Sequence, residues 1–177
     1  MNPGHASAPA RRAAVALVAA TVAAVDLIAK AVSEARLGDS TVDLGLIQLR
    51  LAYNPGVAFS MGDDLPGGVI VALTATICLA FVVYAWHRAP GAGRVERVAG
   101  GAVIGGAAAN VIDRARDGVV TDYLHTGWWP TFNLADTFLV LGCIAIALLS
   151  VFSDQGVEEG DSPPFARPTP SAEEENT

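Results

Sequence analysis

Asn133-Leu-Ala-Asp-Thr-Phe-Leu-Val-Leu-Gly-Cys-Ile-Ala-Ile-Ala-Leu-Leu-Ser-Val-Phe152 decides the fold. Past Asp136 it carries no charged side chain over a length that matches the ~20 apolar residues needed to cross a bilayer as a helix. Its head is polar. Asn133 fits an N-cap, and Asp136, three residues on, places a carboxylate at the positive end of the helix.

Working outward, three more stretches have the same character: Ala13–Val32, Gly67–Trp86 and Val95–Ile112. The expected fold is mostly α, with four transmembrane helices over residues 13–152 and a small extracytoplasmic β-containing lobe. A short external helix or loop is expected beside it. Residues 1–12 form an N-terminal tail. The composition agrees: 52% of the 177 residues are hydrophobic and 16% charged, and the mean hydropathy is +0.42. A soluble helical bundle would instead carry a charged stripe along each helix. The formal charge of −7 says little about a partner. Many of the acids lie in residues 153–177, with four prolines and Glu173-Glu174-Glu175. Such a segment cannot bury enough apolar surface to fold and reads as a disordered cytoplasmic tail.

Arginines set the orientation. With four spans, Arg11, Arg12, Arg88, Arg94, Arg97 and Arg167 lie on one side, and Arg36, Arg50, Arg114 and Arg116 on the other. The bias is small and places both termini in the cytoplasm. The external segments are then about Ser33–Pro66 and Asp113–Phe132. In the first, Ile47, Leu49, Leu51 and Tyr53 alternate with Gln48, Arg50 and Ala52, the period of a half-buried strand. The third span is rich in glycine and alanine. Gly101 and Gly105 have the spacing that lets two membrane helices approach closely.

Ionisable groups at membrane depth need a partner or a task. Asp26 and Lys30 are one helical turn apart and fit an ion pair tying the first helix to its neighbours. Asn54-Pro-Gly-Val-Ala-Phe59 follows the strand as a turn. Asn110, Asp113 and Arg114 close the third span, and Arg114 can clamp a carboxylate. Asp122 and Asp136 follow on the same side. Two carboxylates at close range share a proton, so one can serve as base toward water and the other as acid. Other hydrolytic chemistries fit poorly. His5, His87 and His125 are scattered, no His-Glu-x-x-His or Gly-x-Ser-x-Gly run occurs, and His125 reads as a wet loop residue. Cys78 and Cys143 sit in apolar runs and read as free thiols. No metal, cofactor or nucleic acid is expected.

In this order the boxes resemble a known family, the bacterial lipoprotein signal peptidases (signal peptidase II). Asp26-Leu-Ile-Ala-Lys30 resembles its Asp-x-x-x-Lys, and Asn54-Pro-Gly-Val-Ala-Phe59 its Asn-x-Gly-x-Ala-Phe. Gly105-Gly-Ala-Ala-Ala-Asn-Val-Ile-Asp-Arg114 resembles its Gly-Gly-Ala-x-Gly-Asn-x-x-Asp-Arg. Val119-Val-Thr-Asp122 and Phe132-Asn-Leu-Ala-Asp136 complete the series. The resemblance implies Asp122 and Asp136 as the catalytic pair of an aspartic endopeptidase. It implies Asp26, Lys30, Asn54, Gly56, Asn110, Asp113, Arg114, Asn133 and Ala135 as supporting or substrate-binding residues. It also implies cleavage of a diacylglyceryl-modified prolipoprotein just before the lipidated cysteine, in the cytoplasmic membrane near its outer face. Membrane lipid would surround an enzyme expected to act as a monomer. Ala109 replaces a glycine of the pattern, Thr121 a valine, and Tyr123 a phenylalanine. The rivals are a small proton-coupled transporter, with Asp26, Lys30 and Asp113 as a relay, and a non-catalytic assembly subunit.

Overall fold

The computed structural model describes residues 7–55 and 67–158. The chain order is α1 (Ala8–Leu37), β1 (Val42–Asp43), β2 (Gln48–Asn54), α2 (Gly67–Arg88), α3 (Arg94–Asp117), β3 (Val120–His125) and α4 (Leu134–Glu158). Among the described residues, three helices are long and apolar enough to cross a membrane: Ala8–Leu37, Arg94–Asp117 and Leu134–Phe152. Pro9 lies in the first turn of α1, where its missing N–H breaks no helical bond. Gly118 ends α3 at φ 77°, and its N–H donates to the Arg114 carbonyl at 2.9 Å. That left-handed conformation is one glycine adopts freely. At the other terminus α4 runs on to Glu158, past the end of the span read from sequence.

α3 is the central helix, packed on α1, α2 and α4. Its glycines make this possible. A Cβ at Gly105 would stand 2.5 Å from the Ala19 carbonyl oxygen and 2.8 Å from Val22 Cβ. One at Gly101 would stand 2.7 Å from Val18 Cβ. Gly142 of α4 returns the contact, with the added atom 2.7 Å from Val103 Cγ2, and Gly106 lies against the Ala135 carbonyl. Close backbone approach substitutes here for large apolar side chains, which point outward instead. Leu17, Ile28, Leu141 and Phe152 are all exposed, while Asp26, Asn133 and Ala135 have no accessible surface. An apolar exterior around a polar interior is the arrangement lipid favours.

The sheet has the order β1-β2-β3, all antiparallel. β2 matches the alternating stretch read from sequence, but its burial does not alternate. A register shift between Leu49 and Ala52 breaks the period. β3 was not foreseen. Its segment reads as loop or short helix, although Val119, Val120 and Thr121 suit a strand. Pairing with β2, about seventy residues earlier in the chain, is a long-range event that local sequence does not announce. Of the short external helix or loop expected, the described residues show the loop, residues 126–133 between β3 and α4.

Candidate active site

Four elements carry most of the site: the first turn of α4, β3, and the facing stretches of α1 and α3. Asn133 caps α4 as expected. Its Oδ1 accepts from the Asp136 N–H at 2.9 Å, and its own N–H donates to Asp136 Oδ2 at 3.3 Å. This reciprocal pair is a capping box with aspartate at the third position. The cap leaves the Asn133 side-chain amide free to donate, and Nδ2 donates to Asp122 Oδ1 at 2.7 Å. One residue therefore holds both carboxylates, Asp136 through its backbone and Asp122 through its side chain. β3 delivers Asp122 opposite Ala52 of β2.

Asn110 on α3 extends the network. Its Nδ2 donates to Asp136 Oδ1 at 2.8 Å, and its Oδ1 accepts from Lys30 Nζ at 2.7 Å and from Asn133 Nδ2 at 3.2 Å. Lys30 is 3.0 Å from Asp26 and 3.1 Å from Asp113. Asp113 accepts from the Thr121 N–H at 2.8 Å, fixing the residue before Asp122. Asp26 accepts from the Ala135 N–H at 2.9 Å, an otherwise unpaired donor in the first turn of α4. The expected tie from Asp26 and Lys30 to neighbouring helices is present, and it leads directly to the site. Such buried charges persist only when they satisfy one another.

Burial lifts the Asp122 carboxyl to about 7, and the charge of Asp136 pushes the same way. Hydrogen bonds from Asn133 and Asn54 and the charge of Lys30 oppose this. Asn54, at the end of β2, thus reaches the site as expected. Gly56 lies outside the described residues. Arg114 is buried, but among the described residues it forms no ion pair, and its Nε has no hydrogen-bond partner. It borders a cavity of about 180 Å³ together with Asn110, Cys78 and Leu139. His125 is not a loop residue. It ends β3, half-buried, with Nδ1 lacking a partner among the described residues.

Sequence reading missed three contributors. Glu34 accepts from the Thr121 hydroxyl at 2.8 Å, linking α1 to β3. Its position one turn beyond Lys30, on the Asp26–Lys30 face, was the available signal. Thr121 was noted only as a departure from the family pattern. The Tyr123 hydroxyl accepts from the Leu134 N–H at 3.3 Å. Burial, then the charge of Asp26, holds that phenol well above its ordinary value, so it stays neutral.

A family model described as Signal peptidase (SPase) II matches residues 18–152. A lipoprotein signal peptidase of Rhodococcus jostii is 31% identical, the match covering 80% of this chain and 74% of that one. One from Halothermothrix orenii is 37% identical over 66% of this chain and 76% of its own. For that of Sinorhizobium fredii the identity is 38%, and the chain spans 64% of that relative's length. Among solved structures, a bacterial membrane enzyme obtained by the in meso method at 2.3 Å matches with a TM-score of 0.67. It is 23% identical, the match covering 84% of this chain and 93% of that one, a likeness of fold. With three quarters of its length matched by the family model, the chain belongs to the signal peptidase II family of aspartic-type peptidases.

Proposed function

We propose that Asp122 and Asp136 are the catalytic pair with which this peptidase removes the signal peptide from diacylglyceryl-modified prolipoproteins, cutting before the lipidated cysteine. The observation that carries the reading is Asn133, whose backbone N–H and side-chain amide hold one carboxylate each. The pair holds one proton between two carboxylates, Asp122 buried and Asp136 half-buried. Asp122, lifted to about 7, is the group suited to keep it. Asp136, accepting from Asn110 and Asn133 at a helix N-terminus, is suited to carry the charge.

In the reaction Asp136 takes a proton from water as the water oxygen bonds to the scissile carbonyl carbon. Asp122 gives its proton to the carbonyl oxygen. Collapse of the tetrahedral species expels the amine, which takes up the proton held by Asp136, while a hydroxyl of the diol returns its proton to Asp122 as the carbonyl re-forms. Neither metal nor covalent intermediate is required. Lys30, Asp26, Asn110 and Asp113 position the pair and its supports, and Arg114 faces the substrate cavity with an unused donor. Ala135 serves through its backbone, and Gly56 is assigned a supporting role by the family pattern alone.

The enzyme crosses the cytoplasmic membrane four times, with α2 as the fourth span beside the three long helices. Both termini are cytoplasmic, the site is near the outer face, and one copy surrounded by lipid is the working unit. A proton relay would need ionisable groups spaced through several helices. The buried carboxylates and Lys30 instead converge on the sheet end, which favours hydrolysis.

Purified Asp122→Asn and Asp136→Asn proteins, given a lipidated precursor in detergent, are expected to lose at least about a thousandfold in cleavage rate. Both should keep the unaltered melting profile to within a few degrees. Wild-type turnover by either variant would remove that carboxylate from the mechanism.

A further inference from the structure

Where α2, α3 and α4 meet, Cys78, Asn110, Arg114 and Leu139 wall a cavity of about 180 Å³. We propose that this cavity is a covalent-modification site, in which Cys78 adds to a small neutral electrophile whose carbonyl is conjugated to an alkene. The adduct fills the space beside Asn110 and stops cleavage. That last consequence rests on the peptidase reading above, whereas the addition itself does not.

Cys78 is a free, half-buried thiol on α2. Thiols in apolar surroundings ordinarily act as small, inert packing groups. Two features set this one apart. First, it borders open space, with the volume of about six water molecules. Second, the same space contains a donor with nothing to bond. Arg114 is nine-tenths buried, and its Nε is enclosed without a hydrogen-bond partner among the described residues. A buried donor left unpaired is costly, and a ligand carbonyl relieves that cost. The carboxyls of Asp122, Asp113 and Asp136 act electrostatically on Arg114. They repel an anionic reagent, so the fitting acceptor is a neutral one.

The two groups divide the work. The Arg114 Nε–H donates to the carbonyl oxygen and draws electrons from the conjugated alkene. Sγ of Cys78 bonds to the far alkene carbon, and the π pair moves toward the carbonyl as an enolate held by Arg114. The proton given up by the thiol ends on the α carbon. Nothing leaves, and no oxidant or reductant takes part. Asn110 donates to Asp136 at 2.8 Å, so an adduct wedged against that amide disturbs the support of a catalytic carboxylate. Cys143, also a half-buried free thiol, lies on α4 outside this cavity and serves as the internal reference.

The full-length protein in detergent is treated with N-ethylmaleimide, or with allyl bromide, which is neutral and has no carbonyl. Mass spectrometry gives the labelling rate at each cysteine. The ratio of the maleimide rate to the allyl rate cancels accessibility, and it should be at least about tenfold higher at Cys78 than at Cys143. Arg114→Met should bring the two ratios together. Equal ratios in the unaltered protein, or a Cys78 preference that survives Arg114→Met, would overturn the site. If Arg114→Met does not fold, the ratios in the unaltered protein decide alone. Cleavage of a lipidated precursor should fall in step with maleimide labelling of Cys78. Cys78→Ser should keep cleavage and resist the reagent, and Cys143→Ser should remain sensitive. Full cleavage by protein completely labelled at Cys78 would overturn the blocking role. Failure of untreated, unaltered protein to cleave the precursor would instead strike the peptidase reading and leave the labelling ratios standing.

Discussion

Both ends of the helix bundle carry charged side chains, and they use them differently. At the sheet end, Lys30, Asp26, Asp113, Asn110 and Asn133 are joined side chain to side chain in a closed network. At the opposite end, arginines hold backbone. Arg11 donates to the Pro90 carbonyl at 2.7 Å and Arg12 to the Trp86 carbonyl at 3.2 Å, with the Arg12 guanidinium 5.1 Å above the Trp86 ring. Arg97 donates to the Ala92 carbonyl. Among the described residues an ion pair at that end, Arg88–Glu96 at 3.2 Å, has an arginine side chain 58% exposed. Carbonyls left unpaired near helix ends explain the second arrangement completely. They do not explain the first, where charges are buried at a cost that fold stability alone does not require. That contrast separates a structural use of charge from the use proposed for the site.

The largest test of this contrast is Lys30→Met. It leaves Asp26 and Asp113 buried without their cation and should destabilise the protein by about 3–5 kcal/mol. Denaturation in detergent measures this. A loss under about 1 kcal/mol would mean the two ends are energetically alike. Gly105→Ala tests whether close helix approach supports the network. The added methyl meets the Ala19 carbonyl and Val22, so a loss of about 1–3 kcal/mol is expected.

Next is pH. The Asp122 carboxyl is raised above its unfolded value by burial and by Asp136. The native state therefore holds that proton more tightly than the unfolded chain. Its contribution to stability falls as pH rises from about 4 through about 7, and is level above. Asp122→Asn removes the effect, so its melting temperature relative to the parent should climb across that window. The parent's cleavage rate should fall as pH passes upward through about 7, where the acid loses its proton. A rate that rises there would reverse the proton assignment. The smallest effect belongs to the far end. Arg88→Ala should cost no more than about 0.2–1 kcal/mol and leave cleavage unchanged.

Much of the site was legible in residue order. Asp26 and Lys30 one turn apart, the Asn133–Asp136 cap, and the Asn110–Asp113–Arg114 cluster each carried a local signal, because helical spacing places such residues on one face. The boxes in series added what no single one carries. Other parts were not legible. Arg114 reads as a clamp on a carboxylate, yet its Nε is unpaired among the described residues, because Lys30 already occupies the position between Asp26 and Asp113. The Glu34–Thr121 bond joins residues 87 positions apart. Neither has a sequence neighbour that announces the other.

The amino-acid order by itself determined which segments leave water and which side chains are too polar for the place they occupy. Both are local properties, set by transfer free energy and helical period. Tertiary structure decided what those polar groups do. Only the close approach of α3 to α1 and α4 at glycine, and the pairing of β3 with β2, bring Asp122 to the amide that already caps Asp136. Hydrogen bonds act over about 3 Å, so a contact between residues 11 positions apart in the chain, on two different elements, is fixed by packing and not by spacing.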